Sequence, residues 1–83
     1  MEISNELRRL VDPNGKCCCE YCLIFKCKEW AIDKYDIAIP SALYKNYAKS
    51  WNLDKDKSYT AKTEVEVIIE ACSGILEELN EKI

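Results

Sequence analysis

A chain of 83 residues, 48% hydrophobic and 33% charged, has room for one domain with a thin core and is neither a disordered segment nor a membrane-spanning one. A domain of this size buries only about 60–65% of the surface its unfolded chain exposes, so a covalent or metal staple, or a partner subunit, would add appreciably to its stability. Net charge −3 and the absence of histidine argue against a protein given over to nucleic acid and against the usual general base at pH 7, although the lysines between positions 45 and 57 leave a local basic face open.

In chain order, Ile3, Leu7, Leu10 and Val11 recur at helical spacing, which predicts a first helix over residues 2–11 that stops at Asp12-Pro13-Asn14-Gly15. Residues 16–35 fit two templates: Cys17, Cys19, Tyr21, Leu23, Phe25 and Cys27 alternate like a strand, whereas Leu23, Cys27, Trp30 and Ala31 share a helical face. Helix propensity and length favour a knuckle at 17–22 running into a helix from about Tyr21 to Lys34. Pro40 suits a helix's first turn, and Leu43, Tyr44, Tyr47, Ala48 and Trp51 then predict an amphipathic helix to residue 51, followed by a charged loop at 52–58. Thr63 and Glu66 form a capping-box pair ahead of Val65, Ile68, Ile69, Cys72, Ile75, Leu76, Leu79 and Ile83, the clearest helical stripe in the chain.

Five of the six cysteines, Cys17, Cys18, Cys19, Cys22 and Cys27, fall within eleven residues. The N-terminal residues lack the basic start and apolar run of a signal peptide, which predicts a cytoplasmic protein, where clustered cysteines are metal ligands or free thiols more often than disulfides. Without histidine a metal site must be thiolate-based, and zinc takes four such ligands tetrahedrally, two of them commonly from a Cys-x2-Cys turn. Cys19 and Cys22 have that spacing, so the candidate zinc set is Cys19, Cys22 and Cys27 with Cys17 or Cys72. Free thiols remain the competing expectation, with Cys18, Cys22 and Cys27 filling a core and Cys72 a small apolar residue on the buried face of the last helix.

Between Trp30 and Asp56 the order of residues resembles a helix-turn-helix of small bacterial regulators, with Ala31 in the first helix, Asp36-Ile37 at the turn and Ser41 to Tyr47 opening a recognition helix. The resemblance implies that Ser41, Lys45, Asn46 and Lys49 face DNA, Asn46 toward adenine and the lysines toward phosphate. The alternative is an amphipathic core helix, whose polar face then meets a protein.

The fold expected from these elements is mainly α: one domain over residues 1–83, of three to four helices with a short irregular or hairpin-like cysteine-rich segment. The last helix is expected to pack across the others or against its copy in a homodimer. No glycine-rich phosphate loop or nucleophile–base arrangement is present, so the expected function is non-enzymatic: binding of a macromolecular partner, a protein, through Ser41, Lys45, Asn46 and Lys49. The alternatives are a DNA-binding regulator and a viral or mobile-element inhibitor of a host protein, the latter resting on size and charge.

Overall fold

The computed structural model describes residues 3–17 and 19–81; the expectations for residue 2, Cys18 and Ile83 lie outside them. Three helices, α1 (Asn5–Val11), α2 (Glu20–Tyr35) and α3 (Glu64–Glu81), accompany three strands, β1 (Ser41–Leu43), β2 (Ala48–Asn52) and β3 (Lys57–Ala61). The strands form one antiparallel sheet in the order β1-β2-β3. The mainly α expectation is therefore corrected to a mixed fold of three helices and a three-stranded sheet, and the change lies entirely in residues 41–61.

The expected helix at 40–51 is a hairpin instead. Its register pairs Leu43 with Ala48 and Ser41 with Ser50, and the two-residue turn Lys45-Asn46 is closed by the Tyr44 N–H on the Tyr47 carbonyl at 2.8 Å. The helical spacing of Leu43, Tyr44, Tyr47, Ala48 and Trp51 coincides with a period of two once the small residues are counted as core. Ala48, Ser50 and Asn52 are buried while Lys49 and Trp51 are half-buried, so β2 turns its bulky side chains away from the interior. A recognition helix does not exist here, and the helix-turn-helix geometry goes with it.

The turn from β2 to β3 is organised by Asn52, whose side-chain oxygen accepts the N–H groups of Asp54 and Lys55 at 3.0 and 3.2 Å. Asx side chains close turns in this way, leaving Asp56 in the left-handed region at φ 53°.

Helix α3 is the centre of the molecule. Thr63 caps it, accepting the Glu66 N–H at 3.3 Å, and Val67, Ile68, Ile69, Ala71, Cys72 and Ile75 are all buried. Burial at three consecutive positions exceeds one amphipathic stripe, because the helix is covered on two sides. Toward the sheet lie Gly74, against the Tyr59 side chain of β3, and Glu78, paired with Lys57 at 2.8 Å. Toward α2 lies Cys72, whose thiol donates to the Cys27 carbonyl at 3.6 Å. A side chain at position 74 would come within 2.6 Å of the Tyr59 hydroxyl, so the glycine makes room for a tyrosine from the sheet.

The stripe Val65, Ile68, Cys72, Leu76 and Leu79 thus packs within its own chain, with Ile68 and Cys72 fully buried and Val65, Leu76 and Leu79 packed partly exposed against the core. Ile68→Ala should cost about 2–5 kcal/mol and Leu76→Ala clearly less, since the loss scales with the cavity left behind. Urea unfolding followed by circular dichroism measures both, and equal losses would place Leu76 as deep as Ile68.

Candidate functional site

The loop before α2 is tied by one carboxylate. Asp12, buried at the end of α1, accepts the N–H groups of Lys16 and Cys17 at 3.0 and 3.2 Å, and its carbonyl accepts the Gly15 N–H at 3.1 Å. Gly15 sits at φ +61°, a conformation that side-chain-bearing residues rarely adopt. The knot delivers Cys17 to the first turn of α2, where the Cys22 thiol donates to the Cys17 sulfur at 3.4 Å. Burial first, with the nearby Asp12 charge adding to it, pushes the Cys17 thiol up to about 12.

The expected zinc ligands are divided rather than gathered. Cys17 stands with Cys22, Cys27 with Cys72, and Cys19 is exposed at the N-cap position of α2. Cys22 and Cys27 are five residues apart on one helix, so they project roughly 140° from each other. Among the described residues no group of three or more cysteine or carboxylate side chains is placed to hold a metal ion. The hydrogen bond with Cys27, and then burial, raise the Cys72 thiol, so Cys72 keeps its proton.

The expected partner-binding residues also separate. Lys45 and Asn46 form the hairpin tip, and Lys49 lies on the outward face of β2 with its ammonium 5.5 Å from the Trp51 ring centroid. Ser41 is structural: its hydroxyl accepts from Lys28 Nζ at 3.0 Å and donates to Glu64 at 2.9 Å, linking α2, β1 and the start of α3.

Sequence patterning missed a groove between α2 and β1. Tyr21, Phe25 and Ile32 are exposed along α2, at 79, 61 and 51%, and Leu43 and Leu53 are exposed at 69 and 63%. Tyr21 and Leu43 border one depression beside Val65. Ile32, Pro40 and Leu53 border a second, and Lys28 lines it too. The Lys28–Ser41–Glu64 link stands between them. The signal that could have found this surface was Tyr21, Phe25 and Ile32 at positions four and seven residues apart, outside the stripe assigned to the core.

Along this groove β1 is an open edge. The N–H groups of Trp51 and Leu53 reach the carbonyls of Pro40 and Ala38 at 3.1 and 3.2 Å, and Tyr44 bonds Tyr47, so positions 38, 40, 42 and 44 direct their main chain at β2. Antiparallel alternation turns the main-chain groups of Ile39, Ser41 and Leu43 outward. Among the described residues no helix is long and apolar enough to cross a membrane.

Two outcomes follow for the cysteine loop. Alkylation with iodoacetamide at pH 8, read by peptide mass spectrometry, should label Cys19 first, Cys17 far more slowly and Cys72 only on unfolding, because the thiolate is the reactive form. The Asp12 carboxylate is held below its ordinary value of 3.8, chiefly by the Cys17 N–H, against an opposing effect of burial. A depressed folded-state value stabilises the fold fully above the unfolded value, and that contribution is lost as pH falls through the folded one. The melting temperatures of the wild type and Asp12→Asn should therefore differ at pH 6 and converge below pH 3.8; a constant difference down to the lowest pH would show that the charge of Asp12 does not hold the loop.

No protein-family model, curated protein or solved structure matches this chain.

Proposed function

We propose that the protein is a non-enzymatic binding module that takes an extended segment of a partner protein along the open edge of β1, in the groove between β1 and α2. The observation that supports this is the coincidence of outward main-chain groups at Ile39, Ser41 and Leu43 with exposed Tyr21, Phe25, Ile32, Leu43 and Leu53 on either side. An unpaired strand edge supplies sequence-independent hydrogen bonds, and flanking apolar side chains select alternate residues of the added strand. From Tyr21 to Ile32 the groove runs for about 16 Å at 1.5 Å per helical residue, which holds about five residues of extended chain. Exposed apolar side chains flanking a strand edge are also what a small domain keeps when a partner completes its burial.

Selection of a random displayed-peptide library on the immobilised protein tests this. Enriched peptides should share alternating apolar residues, and titration into 15N-labelled protein should shift the amide signals of Ile39, Ser41 and Leu43 together with those of Tyr21 and Phe25. Phe25→Asp and Leu43→Asp, both at exposed positions, should keep the circular dichroism spectrum and weaken the enriched peptide at least tenfold. Shifts confined to another surface, or unchanged affinity in both variants, would overturn the proposal.

A further inference from the structure

The other face of the sheet, turned away from α3, is bare. Among the described residues α3 is the helix that packs against the strands, and the alternation of β2 fixes what the open face carries. The register places Ala42, Tyr44, Tyr47, Lys49 and Trp51 on it, with Ser58 and Thr60 from β3 alongside. Solvated faces of antiparallel sheets are ordinarily polar. This one holds three aromatic rings: Tyr44 and Tyr47 stack with centroids 4.8 Å apart and planes 18° from parallel, and Trp51 lies under the Lys49 ammonium.

The charge of the molecule is sorted to match. Residues 41–62 contain five lysines and two aspartates, a local +3, whereas residues 64–81 contain six glutamates and no lysine or arginine. Lys57 is engaged by Glu78, and Lys45, at the hairpin tip, and Lys49 flank the rings of the open face. The net −3 of the chain thus hides a basic, aromatic sheet backed by an acidic helix.

We propose that this face binds single-stranded nucleic acid, with bases stacking on Trp51 and on the Tyr44–Tyr47 pair and with Lys49 and Lys45 contacting phosphates. Tyr47, Lys49 and Trp51 follow one another at two-residue steps, about 6.6 Å each, so a ring, a cation and a ring alternate along one line. Aromatic platforms interleaved with cations take single strands without sequence readout, because every base offers a π-face. In a duplex the bases stack on one another, so their faces are not open to these rings. On binding, Lys49 moves from the Trp51 ring to a phosphate and a base takes its place. The side chains of this site are distinct from those of the groove on α2, and its test does not need a ligand in that groove.

Fluorescence anisotropy of labelled twelve-nucleotide oligo(dT) and oligo(rU), with a duplex of equal length, tests the proposal on the full chain. The single strands should bind at 50 mM salt, with the duplex at least tenfold weaker. Trp51→Ala should lower affinity about tenfold or more, the loss of one base–aromatic stack, while Trp51→Phe retains most of the binding. Lys49→Ala should flatten the slope of log affinity against log salt by about 0.7, the value of one phosphate contact to a single strand. Should Trp51→Ala fold poorly, Thr60→Glu sets a negative charge on the same face at an exposed position and should weaken binding severalfold. Asn80→Ala, at an exposed position near the end of α3, should leave oligonucleotide affinity unchanged. No binding of either single strand, equal binding of the duplex, or wild-type affinity in both Trp51→Ala and Thr60→Glu would overturn the assignment.

Discussion

Everything in this fold is arranged around the burial of α3 on two sides. A chain of 83 residues cannot build two separate cores, and here one helix serves both the sheet and the helical layer. The division of labour is written in side-chain size: toward β3 the helix offers Gly74, where the Tyr59 ring fits, and toward α2 it offers Cys72 against the main chain of Cys27. Small residues on the strand side permit close approach, and Ala48 and Ser50 of β2, both fully buried, meet that requirement from the sheet. The bulky residues of β2 are therefore forced outward. An aromatic open face is thus the geometric counterpart of a tight helix–sheet contact.

The same constraint explains which features were legible in the sequence. Helix α1, its stop at Asp12-Pro13-Asn14-Gly15, the run of α2 and the Thr63 cap could all be read locally, because each depends on residues within a turn or two of one another. The strands could not. Leu43, Tyr44, Tyr47, Ala48 and Trp51 satisfy a helical stripe as well as a strand pair, and the choice between them is made by α3, against which β2 buries the small side chains of Ala48 and Ser50. The usable local signs were the pair Tyr44 and Tyr47 around a two-residue polar turn, the run Lys57-Ser-Tyr-Thr-Ala with its strand-favouring residues, and Asn52 opening a turn two residues on.

The cysteines teach a related lesson about spacing. Cys19 and Cys22 look like a metal knuckle only if the chain turns there; in the fold, α2 begins at Glu20, so the pair spans the helix cap and first turn. Cys17 reaches Cys22 because Asp12 gathers the loop, and Cys27 reaches Cys72 across 45 residues because α3 crosses α2. Neither pairing follows from sequence distance. The crowding that stands out in the primary structure is resolved into one partly exposed pair at the head of α2, one buried pair in the core, and Cys19 at the surface between them.

The two proposed binding surfaces share β1. Ser41 and Leu43 direct their main chain to the groove, while Ala42 and Tyr44 place their side chains on the open face of the sheet. A strand only three residues long that pairs with β2 on one side alone has order to gain from a ligand at its open edge. A peptide strand added at its edge would fix β1 and, with it, the Tyr44–Tyr47 stack. A single strand laid on that stack would fix β1 in turn. Linkage requires the two effects to be equal: whatever factor the peptide contributes to oligonucleotide affinity, the oligonucleotide contributes to peptide affinity. The short edge strand is thus the element through which a ligand on one of these surfaces would be felt on the other.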